Sequence, residues 1–95
     1  MVKFSDDLSV EAFFDDVRNE LELAIVQYPT PNPTLATLTE QLGQLSEALL
    51  QIRDGVSNDW FAVWFEAKQV AVMAERCAIE GDPTVGAVPT PENYG

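Results

Sequence analysis

The chain has no histidine, one cysteine and only five lysine or arginine residues among its 95 positions. Each scarcity excludes something. Without histidine, Cys77 lacks the usual base that activates a thiol nucleophile, and a single thiol cannot close an internal disulfide, which fits a reducing compartment. Cys77 falls inside an apolar helical run, where cysteine ordinarily serves as a small buried hydrophobe. The five basic residues face sixteen acidic ones, for a formal charge of −11. Ordinary nucleic-acid binding needs a basic footprint against phosphates and is excluded. Long apolar runs are also missing. The most hydrophobic stretch, Trp60 to Ala74, is interrupted by Glu66, Lys68 and Gln69 and is too short to span a bilayer. The opening MVKFSDDLSV shows no apolar signal region or cleavage-like site. A soluble, cytoplasmic protein with no membrane role is expected.

Hydrophobic residues make up 46% of the chain, enough for a packed core and against wholesale disorder. The length implies one domain, and a domain this small commonly gains stability by oligomerising. Two readings of the acidity stand side by side: a solvated surface that favours solubility, or mimicry of nucleic acid directed at a basic protein partner. The densest acidic region is the N-terminal third, with Asp6, Asp7, Glu11, Asp15, Asp16, Glu20 and Glu22.

Apolar periodicity predicts three helices. The first runs from about Val10 to Gln27, with Ser9 as its cap and an apolar face of Val10, Phe13, Phe14, Val17, Leu21, Ala24, Ile25 and Tyr28. The residues Asp15, Asp16, Arg18, Asn19, Glu20 and Glu22 fall mostly on the other side. Pro29-Thr-Pro-Asn-Pro33 stops this helix. The second helix starts with Asn32 as cap and Pro33 at its first position, continues to about Asp54, and stops at Gly55. The third, capped by Asn58, runs to about Glu80 and closes at Gly81-Asp82-Pro83. Its apolar residues, among them Trp60, Phe61, Trp64, Phe65, Val70, Val72 and Met73, do not fit one narrow stripe. A helix apolar on most sides is buried on most sides, which in a three-helix chain calls for a second subunit. Residues 83–95 read as a flexible tail following a helical domain of residues 1–82.

The second helix carries the most organised pattern. Leu35, Leu38, Leu42, Leu45, Leu49 and Ile52 alternate by three and four, the seam of one helix packed along another. Between them runs a polar ladder of Glu40, Gln41, Gln44, Glu47 and Gln51. On the third helix Glu66 and Gln69 sit three apart and share a face. Polar pairs on two facing helices are the way sites are built inside bundles. Gly43 lies within the ladder. A helix glycine costs about 1 kcal/mol relative to alanine, so it is either tolerated or needed for close approach of a neighbour or ligand.

The segment LATLTEQLGQLSEALL, followed by FEAKQVAVMAERCAIEGD, resembles the MazG-like branch of the all-α nucleoside triphosphate pyrophosphohydrolases, over about Glu20 to Asp82. That family's signature is E-E-x-x-E on one helix and E-x-x-D on a later one, whose carboxylates hold magnesium while a triphosphate is split into monophosphate and pyrophosphate. The resemblance implies an all-α helical bundle assembled as a homodimer or tetramer. It places Glu40 and Glu66 as catalytic candidates and Gln41, Gln44, Glu66 and Gln69 at the metal-ligand positions. Three of these four are glutamine where the family has two Glu and an Asp, and only Glu66 keeps its carboxylate. Magnesium depends on hard, mostly anionic oxygen ligands. The implied function is therefore a pyrophosphohydrolase-like protein with weak or lost activity. In the alternative, the glutamines form a satisfied polar network, and the chain is a non-enzymatic acidic protein that binds and inhibits a partner such as a nucleic-acid-binding enzyme. Lys68 and Arg76 are the candidate cations for a substrate phosphate. Trp60 and Trp64, one turn apart, suit either base stacking or packing and oligomer contact.

Overall fold

The computed structural model describes residues 10–30 and 32–90. Within them lie three α-helices, α1 (Val10–Gln27), α2 (Thr34–Arg53) and α3 (Trp60–Glu80), followed by a short 3₁₀ turn at Pro83–Val85, with no strands. No helix among the described residues is long and apolar enough to cross a membrane. Ser9 and the acidic Asp6 and Asp7 lie outside the described residues.

The architecture is centred on α3. Helices α1 and α2 each pack on α3 and not on each other, so α3 forms the floor of a groove with α1 and α2 as walls. Helix α1 meets α3 through Phe13, whose ring stands edge-on to Trp64 with centroids 5.2 Å apart. Asp16 and Glu20 belong to this same face and not to the solvent side that the charge pattern suggests. Asp16 accepts from the Trp64 indole N–H at 2.7 Å and lies 3.5 Å from the Lys68 ammonium. Glu20 accepts from Gln69 Nε2 at 2.7 Å. One turn separates Asp16 from Glu20, and the Trp64, Lys68 and Gln69 side chains repeat at nearly the same pitch on α3, so the two polar rows mesh.

Fully buried apolar side chains are few among the described residues: Val72 and Met73. The leucine seam of α2 divides. Leu38, Leu45 and Ile52 are half-buried, whereas Leu35, Leu42 and Leu49, spaced by seven, remain exposed. On α3, Trp60, Phe61 and Phe65 are exposed, Phe61 to 87%. Trp64 is an internal packing residue, by contrast with Trp60. Gly43 has nothing within 4 Å of the position a Cβ would take, so no neighbour within the described chain requires it.

The ends of α2 show how the helices are joined. Its C-terminus closes by local rules: Gly55 N–H reaches Ile52 O, Val56 N–H reaches Gln51 O, and Gly55 takes a positive φ of 74°. That is the paired hydrogen-bond pattern by which a left-handed glycine satisfies the last carbonyls of a helix. The N-terminus departs from the sequence expectation. Asn32 does not cap it, Pro33 sits at the cap position without a side-chain acceptor, and helical geometry begins at Thr34. The acceptor comes from 47 residues away: Asp82 Oδ2 takes the Leu35 N–H at 2.8 Å, while the Thr34 hydroxyl donates to Gly81 O at 2.8 Å. At α3 the cap is Asp59, accepting from Ala62 N–H at 3.1 Å, one residue beyond the expected Asn58.

Asp82, 5% exposed, also organises the chain that follows it. Its other carboxylate oxygen accepts from the Thr84 N–H and hydroxyl and starts the 3₁₀ turn. An isolated bridge between Asp82 and Ala87 then folds the chain back over Gly81. Gly81 has a φ of 66°, and a Cβ there would collide with the Ala87 carbonyl and Pro89, so the reversal demands glycine.

The Thr84 hydrogen bond and then the Leu35 N–H hold the Asp82 carboxyl below its ordinary range. The folded chain therefore releases this proton more readily than the unfolded one. The contribution to stability is complete above the unfolded value near pH 4 and is lost as pH falls through the lower folded value. Replacing Asp82 by alanine should lower the thermal midpoint by several degrees at neutral pH, as seen by circular dichroism. Asp82→Asn, which keeps acceptor oxygen but not charge, should flatten the acid limb of the stability curve below about pH 4.

Candidate functional site

The groove on α3 encloses a cavity of about 420 Å³. From α1 and the residue just past its end it is lined by Glu20, Leu23, Ala24, Gln27 and Tyr28, all within about two turns of the helix end. Helix α2 and the residues before its start contribute Asn32, Thr37, Glu40, Gln41 and Gln44. The floor is Phe65, Gln69, Val72, Met73 and Arg76. Thr37, Gln41 and Gln44, and likewise Phe65, Gln69, Val72 and Arg76, recur at three and four, the spacing that puts them in line on one helix face.

Of the residues singled out from the sequence, Glu40, Gln41, Gln44, Gln69 and Arg76 are brought together on this lining, while Glu66 and Lys68 are not among the lining residues. Glu66 has a carboxylate oxygen, Oε2, buried without a hydrogen-bond partner, and Gln41 Oε1 is in the same condition. Lys68 is turned towards α1, paired with Asp16 and lying 5.3 Å from the centre of the Phe65 ring.

Arg76 is 1% exposed. Its Nε donates to Glu80 Oε2 at 2.7 Å and its Nη2 to Glu80 Oε1 at 2.9 Å, a two-pronged contact that suits the planar guanidinium. Its other bonds go to backbone carbonyls at the end of α1, Nη2 to Tyr28 O at 2.6 Å and Nη1 to Ala24 O at 3.4 Å. A helix leaves its last carbonyls short of partners; Ala24 O already accepts the Tyr28 N–H at 2.8 Å, so Arg76 adds a second donor there and supplies one to the Tyr28 carbonyl just past the helix end. The Thr30 hydroxyl also donates to Glu80. The Arg76 hydrogen bond is the main reason the Glu80 carboxyl lies below its ordinary range. The guanidinium is thus committed to its neighbours, and its charge is already matched. Sequence spacing alone put Arg76 on the face of Glu66; the clamp on α1 was not readable, because its acceptors are carbonyls 48 and 52 residues away.

Glu20, Gln27 and Tyr28 are groove residues that the sequence motif did not bring forward. The signal for Glu20 lay in its seven-residue spacing from Phe13, on the apolar face. The donor set of the groove is amide-rich. Among the described residues no group of three or more His, Cys, Asp or Glu converges to hold a metal ion. Gln41, Gln44 and Gln69 offer neutral oxygens, and Gln69 is engaged with Glu20 through its amide nitrogen. Of the four positions that the resemblance assigns to magnesium, only Glu66 is anionic, and it is not among the lining residues. No protein-family model, curated protein or solved structure matches the chain.

Truncating Arg76 to alanine would leave the mostly buried Glu80 carboxylate with the Thr30 hydroxyl alone and take the guanidinium donors from the Tyr28 and Ala24 carbonyls. A loss of about 3 kcal/mol or more is expected, because removing one partner of a buried pair leaves the other uncompensated. Arg76→Lys should recover only a minor part, since an ammonium cannot reproduce the fork. Urea unfolding monitored by tryptophan fluorescence measures both.

Proposed function

We propose that this chain is a MazG-like, pyrophosphohydrolase-type helical protein that has given up metal-dependent catalysis and works as a binding module. The observation that carries the reading is the Gln69–Glu20 hydrogen bond across α1 and α3 at 2.7 Å. It makes a position that the resemblance assigns to a metal-binding carboxylate part of a hydrogen-bonded contact between helices. Glutamine at Gln41 and Gln44 acts in the same sense, removing both the attraction for a cation and the repulsion that four carboxylates would suffer without one. The two cations that the sequence offers for phosphate, Lys68 and Arg76, are held by Asp16 and Glu80.

The test is pyrophosphate release from the common nucleoside triphosphates with and without magnesium. Little or no turnover is expected from the natural chain, and weak magnesium affinity by calorimetry. The triple replacement Gln41→Glu, Gln44→Glu and Gln69→Asp should raise magnesium affinity and lower stability in chelator. Brisk magnesium-dependent turnover by the natural chain, abolished by Glu66→Gln, would overturn the reading.

The binding module is a homodimer in this reading. Leu35, Leu42 and Leu49 form a straight exposed row on α2, and Phe61 stands nearly free in solvent. Seven-residue spacing is the seam by which one helix packs along another of the same kind, and exposed contiguous apolar surface of this sort marks an interface. Sedimentation at low micromolar concentration should give twice 10.5 kDa. Because each copy carries −11, association should tighten as salt screens the repulsion. Leu42→Lys should shift the chain to monomer, whereas a monomeric natural protein would refute the dimer.

A further inference from the structure

We infer that the groove between α1 and α2 receives an organic cation, a guanidinium or alkylammonium group carried on an apolar stem. The inference rests on the binding reading above and deepens it by naming the ligand chemistry. Glu20 on α1 and Glu40 on α2 line the groove from opposite walls. Neither carboxylate is paired with a basic side chain among the described residues; Glu20 takes the neutral Gln69 amide. The one cation in the lining, Arg76, has its charge answered by Glu80 and its N–H groups directed to Glu80, Ala24 O and Tyr28 O. The lining therefore carries two uncompensated negative charges and no free positive one.

Three further features select among cations. Gln41 lines the groove with its Oε1 buried and without a donor, so an N–H that reached it after a turn of the side chain would meet an acceptor with no competing partner. Phe65, Val72 and Met73 give the floor an apolar part beside Gln69 and Arg76, which favours a ligand with a hydrocarbon body over a bare metal ion. The volume of about 420 Å³ lies within the range of pockets that hold small organic molecules or one long side chain. The whole chain adds a field of the same sign, since a net −11 draws cations and a low-dielectric cleft focuses that attraction. A nucleoside triphosphate meets the opposite conditions: repulsion from Glu20 and Glu40 with no available cation.

Two sources carry this chemistry, a free polyamine and a lysine or arginine side chain of a basic protein. The experiment is calorimetric titration of the intact protein with spermidine, with a short arginine-containing peptide and with ATP in chelator. The double variant Glu20→Gln, Glu40→Gln is compared with an equal-charge control, Asp15→Asn, Glu75→Gln, made at exposed positions outside the groove. Circular dichroism verifies that both remain folded. Saturable binding of one cation per chain is expected, weakened at least tenfold in the groove variant and less than threefold in the control, with no heat from ATP. Tighter binding of spermidine identifies the polyamine source, and tighter binding of the peptide the protein source. Equal weakening in both variants would overturn the proposal, because the cations would then be following net charge alone. Saturable ATP binding without cation binding would overturn it as well. Pyrophosphate release, measured separately, reports on the silent-enzyme reading and leaves the titration to judge the groove.

Discussion

Asp82 is the residue on which the arrangement of the helices depends. Its two carboxylate oxygens serve different partners: one accepts the first N–H of α2 to be met from outside the helix, the other the N–H and hydroxyl of Thr84. The start of α2 has no acceptor of its own, because Pro33 occupies the cap position. A proline there presets the backbone but offers no side-chain acceptor to the orphan N–H groups of the first turn. The missing acceptor is supplied by the far end of α3, so the cap of α2 is complete only when the two helices are docked. The same junction places Thr34 against Gly81. Arg76 acts similarly at the end of α1. All three helices are thus tied at one end of α3 by charged side chains that complete helix termini.

That construction explains the groove. Two helices fastened to a third, and not to each other, leave a cleft over the shared floor. The cleft's walls inherit whatever lies beside the contact rows, here Glu20 next to Phe13 and Val17 on one side and Glu40 next to Gln41 on the other. The basic side chains that would balance these carboxylates are used elsewhere, Arg76 in the clamp and Lys68 in the α1 contact. With so few cations in the chain, the structural demands leave the cleft without a free one. Scarcity of basic residues, visible in composition, becomes a local charge imbalance only through this allocation.

Helix number and type were legible because two stretches show a clear apolar period, the third is apolar on most sides over a helical length, and proline and glycine separate them. The span Val10–Gln27 follows from periodicity and Pro29 alone, and Gly55 marks the end of α2 for a purely local reason, its access to positive φ. The leucine seam predicted contact for six residues, yet Leu35, Leu42 and Leu49 are exposed in the single chain. Periodicity identifies a sticky face without saying how many partners cover it. Helical spacing puts Asp16 and Glu20 mostly opposite the apolar face, yet both meet α3, because a carboxylate facing an indole or amide N–H is a stable way to pack one helix on another.

The sequence by itself determined what is local: where the backbone can be helical, where it must stop, the shortage of positive charge and the run of neutral amides on α2. Each is a property of a residue and its near neighbours, and needs no fold to be true. Only the tertiary structure decided which polar groups meet. The pairings of Asp82 with Leu35, Tyr28 with Arg76, and Glu20 with Gln69 join positions 47, 48 and 49 residues apart. Such contacts depend on crossing geometry, which one-dimensional spacing does not contain. The physical reason is that a hydrogen bond demands placement within a few tenths of an ångström, whereas hydrophobic periodicity specifies only a side.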